Sequence, residues 1–197
     1  EAARVFGRYA CWRGDLQWDW SQALATEPTR EFVALIQSYL KTVLESPAAH
    51  KGWKIPETTL CYPWIQRMFP EAKYIFWIRD PRDSIIGHHV TDDLGRFGIA
   101  YPETEDERLR RAISWKYQYD LVRATPRPEH WIEIRFEDFV LKQDETLARL
   151  EDFLGMNLAK VPVQTEPVGR WQRDEGTHDY PFFEPAMQAY GYAPASS

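Results

Sequence analysis

Arg79 is followed by Asp80, Pro81, Arg82 and Asp83, and is preceded by the apolar run 74–78. A guanidinium is a fork of donors with permanent charge, suited to a phosphate or carboxylate. The apolar run has the length of a strand buried on both faces, which places Arg79 at a strand's carboxyl end. Asp80 then stands where a helix N-cap belongs, with Pro81 at the first helical position and Asp83 in the first turn. A guanidinium fixed between a strand end and a helix N-terminus is an anion clamp, and free backbone amides add positive charge to it. In open α/β sheets, ligands bind at that end of the strands. The same residues also permit a plain strand–helix junction in which Arg79 pairs with Asp80 or Asp83.

The wider pattern favours the clamp. Lys54-x-Pro56 comes first, then Phe69-Pro70 and Lys73-Tyr74-Ile75 ahead of Arg79-Asp80-Pro81-Arg82-Asp83-Ser84. Arg135-Phe136-Glu137-Asp138 follows, then Phe153-Leu154-Gly155-Met156, Val168-Gly169-Arg170-Trp171 and Tyr190-Gly191-Tyr192. This order and spacing resemble the sulfotransferase family of the bacterial type, which takes its sulfuryl group from 3′-phosphoadenosine 5′-phosphosulfate (PAPS). The resemblance implies transfer of that group to a hydroxyl or amine of a small-molecule or glycan acceptor, with no metal.

It also implies roles for single residues. Arg79 would hold the donor's 3′-phosphate. Eight residues on, where the family has a serine sharing that phosphate, stands Gly87. A lost hydrogen bond to a charged group is worth ~1.5–3 kcal/mol. Ser84, one helical turn earlier, can face the same way, and a bare glycine permits close backbone approach; otherwise Ser84 is a solvated helix residue. Gly169 and Arg170 read as a flap closing over a phosphate, or Arg170 as a surface arginine packed on Trp171. Phe136 offers a stacking face to the adenine, or is a core residue. Lys54 would neutralise charge on the transferred group, and Glu57, or else His88 or His89, would take the acceptor's proton. Glu57 otherwise opens a helix, and His88 with His89 forms an exposed helix face. Adjacent histidines point to different faces, so a metal site is not expected.

A strand requires neighbours and helices around it. A helix is expected from Thr26 to near Ser46, with Phe32, Ile36 and Leu40 at helical spacing. A short strand is expected over 53–55, and a helix over 60–69. The strand 74–78 leads into a helix over 81–90, and a second long helix covers 105–124. A second buried strand covers 130–136, with helix over 137–154 stopped by Gly155. Residues 156–183 are irregular, and 184–190 form a last short helix. Strands alternating with helices predict an α/β fold: three layers, with a mostly parallel sheet between helices. The family fold, related to P-loop NTPases, would carry a glycine-rich donor loop for the 5′-phosphosulfate. Nothing in the chain resembles that loop, so 1–197 is expected to be one N-terminally incomplete domain, inactive alone and with an exposed sheet edge. Two other readings stand beside it: a non-catalytic binding or scaffold module, and a P-loop nucleotide-dependent phosphotransferase.

Composition narrows the classes. With 44% hydrophobic and 15% aromatic residues in 197, the chain can bury a sizeable core. Lys and Arg number 24 against 30 Asp and Glu, a net charge of −6, which argues against nucleic acid as a partner. No apolar run reaches membrane-span length. Cys11 and Cys61 match no metal spacing; two free, buried thiols suit a reducing, cytoplasmic setting, and a single disulfide is the alternative.

Overall fold

The computed structural model describes residues 1–192. In chain order its helices and strands are α1 (Ala2–Gly7), β1 (Cys11–Gly14), β2 (Gln17–Asp19), α2 (Ser21–Ala25), α3 (Arg30–Tyr39), α4 (Lys41–Leu44), α5 (Tyr62–Met68), β3 (Tyr74–Ile78), α6 (Pro81–Ser84), α7 (Glu107–Ala124), β4 (Trp131–Arg135), α8 (Phe136–Leu141), α9 (Gln143–Leu154) and α10 (Glu184–Tyr190). They fall into two compact units, Glu1–Pro70 with His89–Pro126, and Glu71–His88 with the chain from Arg127.

The first unit is mainly helical. Phe32, Ile36 and Leu40 are buried at a four-residue spacing along and just past α3. The helix starts at Arg30, because the Thr29 hydroxyl, not Thr26, accepts the Phe32 N–H at 3.2 Å. Trp64 of α5 is fully buried, with Phe6 and Phe32 edge-on at 5.3 and 5.0 Å and its indole N–H on the Ala23 carbonyl. α7 is capped by Asp106 and buries Ile113, Tyr117 and Leu121.

Two sequence expectations fail in this unit. Residues 53–55 form no strand; the chain there runs into a 3₁₀ turn, Pro56–Cys61. Conversely, residues 11–19, whose sequence has no clean period, form an antiparallel hairpin, β1 with β2, turned by Asp15 and Leu16 in left-handed backbone. Cys11 lies exposed on β1, not buried as expected, while Cys61 is buried; both are free thiols.

In the second unit β3 and β4 pair in parallel, in register from Tyr74↔Trp131 to Ile78↔Arg135. β3 has the expected boundaries but not the expected burial. Ile75 and Trp77 are exposed, at 41% and 44%, so one face of the strand is open. The α/β expectation is met by this parallel pair and its helices; a wider or three-layer sheet is not present among the described residues. The expected helix 81–90 ends at Ser84. The β-branched pair Ile85-Ile86 followed by Gly87 gives it little propensity to continue. Beyond β4, helix runs as α8 and α9, and Gly155 ends it in left-handed backbone (φ 73°). α10 lies where the sequence placed it.

Candidate functional site

The β3–β4 register builds the site. Ile78 lies opposite Arg135, so the next residues out, Arg79 and Phe136, come side by side at the carboxyl ends of the strands. The Arg79 guanidinium stands 4.6 Å from the Phe136 ring centre, within cation–π range. One step further, Asp80 N–H donates to Glu137 Oε1 at 2.9 Å. Glu137 Oε2 accepts the Tyr192 hydroxyl at 3.1 Å, and Tyr190 donates to Glu133 Oε2 at 2.8 Å. The terminal tyrosine motif therefore braces the strand ends.

Asp80 caps α6 as its sequence position predicts, accepting the Arg82 N–H at 2.9 Å. It also grips the Arg82 guanidinium at 3.0 and 2.7 Å, and both side chains are buried. Two parts of the clamp expectation change here. The start of the helix is filled by its own carboxylate, and a four-residue helix carries little macrodipole. Any anion affinity must come from the arginines. Asp80 pairs with Arg82, which leaves Asp83 as the carboxylate facing Arg79, at 3.7 Å.

The loop 167–171 lies over this junction. Arg79 Nη2 donates to the Pro167 carbonyl. Asp83 accepts from Gly169 N at 2.7 Å and Trp171 N at 2.9 Å, and its carbonyl accepts from Arg170 Nη2 at 2.9 Å. Gly169 holds a φ of 69° that favours glycine, and starts the short 3₁₀ turn Arg170–Arg173. The cation resting on Trp171 is Arg82, at 3.9 Å, rather than Arg170.

Arg79 and Arg170 thus converge. Burial pushes the Arg79 guanidinium below its ordinary value; Asp83 opposes this, and the neighbouring charge of Arg170 adds to it. Both Nε–H groups are buried and find no hydrogen-bond acceptor among the described residues. Two cations left in mutual repulsion, each with an unused donor, are chemically complementary to an anion with several acceptor oxygens.

Of the residues expected from sequence, the structure brings together Arg79, Gly87, Phe136, Gly169 and Arg170. Gly87 sits against Arg170: a Cβ there would lie 3.3 Å from Arg170 Nη2. The Ser84 hydroxyl is turned back, donating to the Asp80 carbonyl at 3.1 Å. With α6 ended, the helical-turn argument linking Ser84 to Gly87 does not apply. His88 and His89 lie beyond the helix and are exposed. Lys54 and Glu57 belong to the first unit, Lys54 exposed in irregular chain and Glu57 half-buried in the first turn of Pro56–Cys61. No cluster of potential metal ligands occurs among the described residues. Sequence alone gives Asp83 only a place in the first helical turn and, in the plain-junction alternative, a pairing with Arg79, and it gives Glu137 no role. The Arg135–Asp138 and Tyr190–Tyr192 motifs were the available signals.

A parallel strand pair with its helices, meeting a loop so that two guanidiniums and an aromatic ring share one junction, defines an α/β protein. The sequence profile of the sulfotransferase family matches residues 5–160, and the chain belongs to that family. Two curated nematode proteins, each named “Putative protein-tyrosine sulfotransferase”, are similar to it. The one from Caenorhabditis briggsae is 28% identical over 109 residues, 54% of this chain and 37% of the relative. The one from Caenorhabditis elegans is 25% identical over 117 residues, 58% of this chain and 43% of the relative. The matched segment therefore spans less than half the length of either relative. No solved structure matches. Among the described residues, no helix is long and apolar enough to cross a membrane.

Proposed function

We propose that this chain is a single PAPS-dependent sulfotransferase domain of the P-loop-like α/β fold, and that Arg79 and Arg170 hold the donor's 3′-phosphate. The observation that carries this reading is the convergence of the Arg79 and Arg170 guanidiniums, with Phe136 beside Arg79, at the carboxyl ends of β3 and β4. Phe136, beside Arg79, supplies the face for adenine. The family's reaction breaks the bond between donor sulfur and bridging oxygen and forms a bond from sulfur to the acceptor oxygen or nitrogen. The acceptor's proton passes to a base, and adenosine 3′,5′-bisphosphate leaves. The names of the two relatives favour a tyrosine hydroxyl as acceptor. Lys54 as the charge-neutralising cation, and Glu57 or His88 as the base, are part of the same proposal. So is a cytoplasmic setting, which the two free thiols support. The family match does not favour a phosphotransferase.

The test is calorimetric titration with adenosine 3′,5′-bisphosphate. Arg79→Ala should weaken binding by ~1.5–3 kcal/mol. Arg79→Lys should recover little, because a point charge does not replace the fork. Equal affinities for wild type and Arg79→Ala would remove Arg79 from the site.

A further inference from the structure

Asp83 is fully buried on a four-residue helix, yet every polar group it offers beyond its own N–H is used on the site. Its two carboxylate oxygens take the N–H groups on either side of Arg170, from Gly169 and Trp171. Its carbonyl takes the Arg170 guanidinium, and Oδ2 lies 3.7 Å from Arg79 Nη2. One residue therefore touches both arginines and the backbone that presents the second. A carboxylate repels a phosphate, so direct contact with the anion is not what such a residue contributes. A buried charge must be balanced locally, and Asp83 is balanced by Arg79 and the two loop amides.

We infer that Asp83 is a positioning residue, the latch that joins Arg79 and the Gly169–Trp171 loop into one anion site. The inference rests on the reading that the two arginines bind the donor's 3′-phosphate, and adds what couples them. Asn at 83 keeps one acceptor oxygen and turns an amide toward the other N–H, so one loop bond breaks and Arg79 loses its counter-charge. The contacts link residues in one network, so their effects should be strongly non-additive.

The experiment has two readouts on the whole chain. The first is a cycle of Asp83→Asn and Arg170→Ala titrated with adenosine 3′,5′-bisphosphate. Asp83→Asn should weaken binding roughly ten- to a hundred-fold, and adding Arg170→Ala to it should cost less than about twofold more. The second is hydrogen exchange without nucleotide. Gly169 and Trp171 amides should be protected in wild type and at least one of them exposed in Asp83→Asn, while the β3–β4 ladder stays protected. An undiminished cost of Arg170→Ala in the Asp83→Asn background overturns the latch, as does equal exchange of the two amides in both proteins. If wild type does not bind the bisphosphate, the 3′-phosphate reading fails and exchange alone decides the latch. If Asp83→Asn loses the ladder as well, fast exchange of both amides in wild type overturns it, and slow exchange supports it.

Discussion

Arg170 rests against Gly87, so closely that a Cβ at position 87 would stand 3.3 Å from its Nη2. A side chain at 87 would require the second guanidinium to give way by a few tenths of an ångström. What reads in sequence as a missing serine is, in the folded chain, room for the Arg170 guanidinium. Charge-assisted bonds from a guanidinium exceed those from a hydroxyl.

Gly87→Ser should therefore weaken binding of adenosine 3′,5′-bisphosphate, although it restores the residue the family carries there. Crowding a packed site costs ~1–3 kcal/mol; with a side-chain head as the neighbour the lower end applies, roughly fivefold to tenfold in affinity. Calorimetry checks the sign. A gain in affinity would show that the serine adds to the site without displacing Arg170.

Trp171 covers a buried arginine. The Arg82 guanidinium is 3.9 Å from its ring centre and 2% exposed. Trp171→Ala should destabilise the fold by ~2 kcal/mol, through lost burial of a half-buried ring and the lost cation–π contact with a buried guanidinium. Trp171→Phe should recover a large part of this. Chemical denaturation of the three proteins makes the comparison; an unchanged Trp171→Ala midpoint would count against this contact.

Cys61 and Cys11 should behave oppositely. Burial pushes the Cys61 thiol up to about 12 from its ordinary 9.0, so it stays neutral where a thiolate is needed. At about pH 8 a disulfide reagent should label Cys11 quickly and Cys61 only after unfolding. The sign for stability follows. Above pH 9 the unfolded thiol ionises while the folded one does not, so stability should fall as pH rises from 9 toward 12. Denaturation of wild type and Cys61→Ala across that window isolates the effect; parallel pH curves would contradict it.

The legible parts of this fold were local. The boundaries of β3, the Asp80 cap with Pro81 behind it, and the Gly155 stop each depend on a few neighbouring residues, and all stand as read. The hairpin Cys11–Asp19 was not legible, because its turn places Asp15 and Leu16 in left-handed backbone without glycine at either position. α6 is shorter than the sequence predicts because the run Ile85-Ile86-Gly87 has poor helix propensity. Motif order alone picks out Arg79, Gly87, Phe136 and Arg170, which the structure brings to one junction. Asp83 was not given its role, because its partners Gly169 and Trp171 lie 86 and 88 residues further along the chain. Separations of that size leave no periodic trace.

Turnover should fail where nucleotide binding succeeds. Among the described residues no glycine-rich turn joins a strand to a helix, the element that would offer backbone amides to the 5′-phosphosulfate of the proposed donor. Loss of even one such donor costs ~100–1,000-fold in rate. Residues 1–197 should show no transfer of radiolabelled sulfuryl group to a tyrosine peptide, and an active 1–197 chain would show that the cradle is supplied by residues not recognised as such.

The most direct test of the central claim compares two nucleotides on the wild-type chain by calorimetry. Adenosine 3′,5′-bisphosphate and adenosine 5′-monophosphate differ in the 3′-phosphate alone. If Arg79 and Arg170 hold that group, the bisphosphate should bind at least roughly tenfold more tightly, with the difference shrinking as salt is raised. Equal affinity for the two nucleotides would contradict the assignment of this site to the donor's 3′-phosphate.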